Sequence, residues 1–376
     1  MTNYRMPAEW EPHEATWLTW PTNISTWPGK MLKEVESIYL QMMQALLSGE
    51  KVHLLVPDEK TAQKVSSLLQ SKKAAVQNLV PHRVKTVDTW IRDYGPIFVK
   101  RSNCHSESAA GGRRIYATQR SLPVRQAGFG ANAPQDDVSF CKFTFNAWGG
   151  KYRNLALDNG VVDRIDYFKK FKRTTIPMVF EGGSIDMNGR GSCLTTEQCL
   201  LNKNRNPKLS KKNIENNIKK YLGVRQIIWL KEGIEGDDTD GHVDDITRFV
   251  APDTILTAVE NDTRDINHGI LKENLRILRA SCDLNGKKFK IVEFPMPGPV
   301  GVKKGRSSLG RFPASYANFY IANKAILLPV YSHRNDREAA RILRKLFPGR
   351  KVVPIECTAL VHGLGSIHCV TQQQPR

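Results

Sequence analysis

The chain has 376 residues, 40% apolar and 25% charged, a composition that fits a soluble globular protein with one large core or two ordinary ones. No run approaches the roughly 20 apolar residues that cross a bilayer, and the opening MTNYRMPAEWEPHEATW has acids and prolines where a secretory leader needs an apolar stretch, so a membrane span and a signal peptide are both excluded as expectations. The net charge of +19 admits a polyanion partner, but the basic residues fall in short clusters beside helical apolar spacing and no RRM, zinc-finger or basic-zipper motif accompanies them, so nucleic acid is not the expected partner.

In chain order, ATWLTW reads as a first strand, followed by a helix carrying Met31, Val35, Ile38, Met42 and Leu46 at spacings of three and four. KVHLLV is a strand, Ala62, Val65 and Leu69 mark a second helix, and GPIFVK is a strand. Residues 101–137, with SNCHSESAAGGRR and QAGFGANAPQDD, read as a long loop or insertion. Val162, Ile165 and Phe168 suggest a third helix, and IPMVFEGG a strand. Ile214, Ile218 and Leu222 make a fourth helix, with Ser210 as N-cap and Gly223 as stop. The strands QIIWL, ITRFVA and TILTAV follow, then a helix on Ile270, Asn274 and Leu278. FKIVEF, NFYIAN and AILLPVY are strands, Ala339, Ile342, Leu343 and Leu346 define a helix with Asn335 and Glu338 as a cap pair, and SIHCV is a last short strand. The pattern suits repeated strand-strand-helix-strand units around a centre or a plain doubly wound α/β sheet. The absence of GxGxxG and P-loop fingerprints removes the commonest nucleotide binders of the second kind.

Seven cysteines (Cys104, Cys141, Cys193, Cys199, Cys282, Cys357 and Cys369), odd in number and without a CxxC pair, argue for reduced thiols in a cytosol rather than a disulfide framework or structural zinc.

Four blocks concentrate chemistry. In DTWIRDYGPIFV, Asp93 precedes a Gly95-Pro96 turn and is either a turn aspartate or a functional acid. In VFEGGSIDMNGRGSC, Glu181 precedes two glycines that allow close backbone approach, or the segment is a hairpin punctuated at NGRG. EGDDTDGHVDDITRFVA holds Glu235, Asp237, Asp238, Asp240, Asp244 and Asp245 around His242. It lacks the closing glutamate of an EF-hand, and if GHVDD enters a strand, His242 and Asp244 share a face. In GLGSIHCV, Cys369 follows a glycine-rich turn and is either an inert buried thiol or a nucleophile. A Cys-His pair suits attack on an electrophilic carbon, yet nearby acids oppose thiolate formation unless a cation binds beside them. A guanidinium is such a cation: planar, charged, and matched to carboxylates.

The blocks MPAEWEPHEATWLTWP, DTWIRDYGPIF, FNAWGGKY, EGGSIDMNGRGSCLTTEQCLLNKNRNP, GDDTDGHVDD, FPASYANFYIAN and SIHCVTQQQP together resemble the agmatine deiminases of the guanidine-modifying, pentein-fold superfamily, in the Porphyromonas-type peptidylarginine deiminase family. The resemblance covers all but about 101–137. It implies an α/β fold of the pentein type, a five-bladed propeller of strand-strand-helix-strand units forming one catalytic domain over residues 1–376. It implies hydrolysis of agmatine to N-carbamoylputrescine and ammonia through an amidino-cysteine intermediate, in putrescine and polyamine metabolism, without metal or organic cofactor. Cys369 matches the nucleophile, His242 the acid-base histidine, Asp93 and Asp244 the guanidinium-binding acids, and Glu181 the glutamate that orients the histidine. Asp238 is the candidate for the far ammonium and Trp90 for the wall beside the substrate. The family's tail variants act on free or peptidyl arginine. The implied partner is thus a small cationic substrate, with no membrane and no nucleic acid, in the cytoplasm; a homodimer is left open. Leu364 and Ser366 depart from the family's usual GGGNIHC turn.

Overall fold

The computed structural model describes residues 4–102, 137–301 and 310–376. Most of the expected 101–137 insertion, and Cys104 with it, lies outside them.

Five helices of ten residues or more carry the periodic stripes: α1 (Met31–Leu46), α2 (Glu59–Ser71), α3 (Lys211–Leu222), α4 (Asn267–Ala280) and α5 (Asp336–Leu346). α1 buries Val35, Ile38, Met42 and Leu46 and α3 buries Ile214, Ile218 and Leu222, as their spacing foretold, whereas on α4 Leu271 is buried in place of the expected Ile270, and on α5 Ile342 and Leu346 are only half-buried. α3 also has the expected ends. The Ser210 side chain accepts from Asn213 N at 3.2 Å, the Asn213 side chain accepts from Ser210 N at 3.3 Å, and Gly223 closes the helix at φ +68°. Ser210→Ala should cost about 1 kcal/mol, read as a lower urea midpoint at unchanged slope.

The strands form five separate sheets among the described residues, none with more than four strands. Asp186–Met187, Ser192–Thr196 and Gln226–Leu230 make one; Thr247–Ala251, Thr254–Val259 and Lys290–Pro295 a second; Tyr320–Ile321, Ala325–Val330 and Lys351–Glu356 a third. In each of these, an antiparallel pair is followed by a crossover through α3, α4 or α5 to a parallel strand. Tyr4–Arg5, Ile97–Arg101, Val138–Thr144 and Lys172–Val179 make the fourth sheet. In the fifth, Gln372–Pro375 pairs antiparallel with His13–Thr19, which continues in parallel to Lys51–Val56 and Leu79–Arg83. This is a mixed α/β fold, and its small mixed sheets exclude the doubly wound alternative. Its largest apolar cluster runs from Trp17, Trp20 and Trp27 through α1 to Phe319, Ile367 and Cys369.

Four further local expectations fail. Val162, Ile165 and Phe168 lie on 3₁₀ turns (Val162–Arg164, Asp166–Lys170), because their uniform spacing of three fits the 3₁₀ period. Asn335 does not cap α5 with its side chain, which instead donates to Met296 O at 2.8 Å; Asp336 ties down the preceding loop by accepting from His333 N at 3.0 Å. GHVDD does not enter a strand: Val243–Asp245 is a 3₁₀ turn, and pairing begins at Thr247. SIHCV is not a strand either. Leu364 sits at φ +71°, and the backbone from Ser366 turns until pairing begins at Gln372. Asn318 Oδ1 holds that turn, accepting from His368 N at 2.9 Å and Cys369 N at 3.4 Å.

Candidate active site

The turn after Asp93 is sterically dictated. Gly95 N donates to Ile91 O at 2.9 Å, and a Cβ on Gly95 would stand 2.2 Å from that oxygen. The resulting short helix, Ile91–Tyr94, turns Asp93 inward, where its carboxylate accepts from Trp148 Nε1 at 2.8 Å and Gly183 N at 3.0 Å. Trp148 is held there by strained backbone, with Ala147 at φ +56° and Trp148 at φ +53°. Glu181 leaves the Lys172–Val179 strand into the two glycines, and the NGRG hairpin that follows is real as well, pairing Asp186 with Leu194. Gly183 must lack a side chain. A Cβ there would stand 2.5 Å from His242 Nδ1, 3.0 Å from Asp244 Oδ2 and 3.1 Å from Asp93 Oδ1. Gly183→Ala is therefore expected to lower kcat by about 10²-fold or more by displacing these groups, with folding checked by circular dichroism.

Around this glycine the expected residues converge. His242 Nδ1 is 3.9 Å from Asp93 Oδ1 and 4.0 Å from Asp244 Oδ1, and Nε2 is 4.0 Å from Glu181 Oε2. Asp244, Asp245 and Cys369 bring donor atoms within 4.8 Å of one another. All of these side chains are buried, with Cys369 only 7% exposed. Three polar atoms, His242 Nε2, Glu181 Oε2 and Asp244 Oδ1, have no hydrogen-bond partner, which is the mark of a site awaiting one.

The electrostatics follow from burial among acids. Burial, helped by Arg205 and opposed by Asp244 and Asp240, leaves His242 at about 3, so its imidazole is neutral at neutral pH. Burial and the charges of Asp244, Asp245 and Asp93 push the Cys369 thiol well above its ordinary range. Burial, then Asp244 and Glu181, do the same to Asp93, and burial with Asp244 and Asp237 to Asp245. Burial also raises Glu181, against Arg205, whose Nε donates to it at 2.7 Å. Burial works against Asp244 too, but its hydrogen bond and attraction to His368 win and hold it below the usual carboxylate value. No Lys or Arg pairs with Asp93 or Asp245 among the described residues; Asp245 accepts only from Asn318 Nδ2, at 2.9 Å.

Two candidates occupy outlying places. Asp238 is half-buried and bonds to Tyr152 OH. It lines a cavity of about 270 Å³ with Glu232, Glu235, Asp237 and Leu364, and its carboxylate makes no contact with the acids beside Cys369. Trp90 packs on the turn that carries Cys369, where a Cβ on Gly365 would stand 2.5 Å from Trp90 Cζ3 and 3.1 Å from Cys369 Cβ. Two sets of side chains, Glu181, Cys199 and His242, and Asp244, Asp245 and Cys369, bring donor atoms within 4.8 Å of one another; in them Glu181 Oε1, Asp244 Oδ2 and Asp245 Oδ1 are engaged by Arg205, His368 and Asn318.

Several residues were not singled out from the sequence. Asn318 Nδ2 lies 3.2 Å from Cys369 Sγ, and Trp148 anchors Asp93. His368 Nδ1 lies 2.6 Å from Asp244 Oδ2, and its Nε2 lies 2.7 Å from Glu9 Oε2. Arg92, Arg205 and Arg248 are buried among these acids. All lie in the blocks named above, where position in a motif was visible but side-chain partner was not; Arg205 falls in the NKNRNP tail of one block and Arg248 in the ITRFVA end of the acidic one.

The Porphyromonas-type peptidyl-arginine deiminase family profile matches residues 5–375. The chain is 36% identical to a protein named agmatine deiminase from Medicago truncatula, over 99% of this chain and 96% of the relative. Among solved structures, the agmatine deiminase of Enterococcus faecalis superposes with a TM-score of 0.83 at 28% identity, covering 100% of this chain and 96% of the other. A C. jejuni agmatine deiminase with substrate bound gives 0.78 at 29%, covering 99% and 96%.

Proposed function

The chain belongs to the Porphyromonas-type peptidyl-arginine deiminase family, and from that premise we propose that it hydrolyses agmatine to N-carbamoylputrescine and ammonia. One observation carries the choice of substrate chemistry. The buried acids Asp93 and Asp245 have no cationic side chain to pair with, and Asp244 Oδ1 is unbonded, so the site lacks positive charge that a guanidinium would bring. The enclosure of Cys369 favours a small free guanidine over an arginine within a peptide. The five mixed sheets support one catalytic domain over residues 1–376 built as a five-bladed pentein propeller.

In this mechanism, Asp93 and Asp244 grip the guanidinium. Its charge offsets the acids that keep the thiol protonated, and the thiol proton passes to neutral His242. Cys369 sulfur bonds to the guanidinium carbon while a C=N electron pair moves to nitrogen. His242, oriented by Glu181, returns the proton to the leaving nitrogen, the C–N bond breaks, and ammonia departs. Water then attacks the amidino-thioether and His242 takes its proton. The C–S bond breaks as the hydroxyl proton passes to sulfur, releasing the urea product and restoring the thiol, and the proton held by His242 passes to the released ammonia, giving ammonium. Every proton and electron pair is supplied by substrate, water and these side chains, so the reaction calls for no cofactor. Asp238, on the acidic cavity, would receive the distal ammonium, and Trp90 would back the nucleophile's turn. The product is a carbamoyl derivative of putrescine, which places the reaction on a route to polyamines. Six free cysteines among the described residues accord with a reducing cytoplasm.

Purified protein should release ammonia and N-carbamoylputrescine from agmatine, and turn over free arginine and peptidyl arginine far more slowly. Faster turnover of either arginine substrate would replace this reading.

A further inference from the structure

The mechanism leaves one buried ring next to the nucleophile without a task. His368 is 2% exposed, and each of its ring nitrogens faces a carboxylate oxygen: Nδ1 stands 2.6 Å from Asp244 Oδ2 and Nε2 stands 2.7 Å from Glu9 Oε2. A neutral imidazole has one N–H, so it satisfies one of these contacts and turns a lone pair on the other acid. Glu9 is itself fixed from the far side. Its Oε1 accepts from Arg248 Nη2 at 2.8 Å and Ile321 N at 2.8 Å, and Arg92 Nη2 lies 3.4 Å from Oε2. Glu9 therefore cannot swing away without abandoning three donors.

We propose that His368 is a positioning residue, held as an imidazolium between Glu9 and Asp244, which fixes one oxygen of Asp244 so that the other is presented to the substrate guanidinium. The unbonded Asp244 Oδ1 is the oxygen so presented. Both flanking acids are held below their ordinary values against the cost of burial, Glu9 by Arg248, His368 and Arg92 and Asp244 by His368. The groups that face this ring are Asp244, Glu9, Arg92 and Arg248 through Glu9, His242 beyond Asp244, and the Tyr320 ring at 6.5 Å. The resident cation lies one residue before Cys369, where it also partly offsets the acids that hold the thiol protonated.

Nitrogen NMR of the unmutated protein labelled with ¹⁵N-histidine tests the charge directly at pH 7. The ring at position 368, identified by its absence in His368→Gln, is expected with both nitrogens protonated and should lose this signature in Glu9→Gln; one bare nitrogen on that ring overturns the proposal. In kinetics, His368→Gln should lower kcat/KM for agmatine roughly 10- to 100-fold, mainly through KM, because it loosens the acid that holds the substrate. It should also slow iodoacetamide alkylation of Cys369 at pH 8. Unchanged KM and unchanged alkylation in a folded variant would overturn the positioning role. The KM arm rests on the proposed agmatine reaction. The NMR and alkylation arms do not, so failure of that reaction and failure of this inference remain distinguishable.

Discussion

Cys369→Ala should lower agmatine turnover by about 10⁴-fold or more while leaving agmatine bound. The loss is large because no other described thiol can substitute. Cys199 shares the cluster of Glu181 and His242, but burial, with Glu181 beside it, keeps its thiol protonated, and no Asn318 amide lies against it. Binding survives because Asp93 and Asp244 are anchored by Trp148, Gly183 and His368, none of which depends on the sulfur. The variant also isolates a pH effect. Asp93 is pushed above its usual range by burial, Asp244 and Glu181, and a bound cation favours its ionised form. Acidification therefore protonates Asp93 before an ordinary aspartate and weakens binding, so calorimetric affinity for agmatine should fall from pH 8 toward pH 5. Affinity that rises on acidification would contradict the grip assigned to Asp93, and retained turnover in the alanine variant would remove the covalent route. Mass spectrometry of unmutated protein quenched during turnover should find the amidino adduct on Cys369.

Arg248→Met should be the most destabilising single change in the chain, at about 3–5 kcal/mol, and should leave little folded protein. Arg248 is 0% exposed. Its Nε donates to Asp186 Oδ2 at 2.6 Å, Nη2 to Glu9 Oε1 at 2.8 Å and Nη1 to Phe319 O at 2.7 Å. Methionine fills a similar volume but leaves two buried acids without their strongest cation. Asp186 loses most, since Arg248 is the cation paired with it, whereas Glu9 keeps Arg92 and His368. Circular dichroism and urea titration give the stability. A variant that folds within 1 kcal/mol of the parent would show that water or protonation relieves these acids instead.

What could be read from the chain depends on the range of the interaction. Helices were legible where steps of three and four mix, as in α1 and α2, because that mixture belongs to the 3.6-residue period. It misled at Val162, Ile165 and Phe168, where steps of three only belong to the 3₁₀ turn. The turn carrying Cys369 looked like a strand because Ile367 and Val370 are buried, but they pack into the apolar core without a sheet partner. Asp93, Glu181, His242, Asp244 and Cys369 were nameable through motif resemblance, and the structure gathers them. Their anchors were harder to find. Glu9 and Arg248 are 239 positions apart, and Glu9 and His368 are 359 apart. Nothing local separates an arginine between two interior acids from one on a wet helix face.

The strand pairing of Gln372–Pro375 with His13–Thr19 sets when this protein can first become an enzyme. At ordinary ribosomal speeds, the segment near residue 17 waits on the order of tens of seconds for its neighbour near residue 372 to be synthesised. Throughout that interval the nascent chain has the acids but not Cys369 beside them. On the proposed mechanism, competence arrives together with the closing of the fifth sheet, and a translation product truncated before Cys369 is expected to be inert.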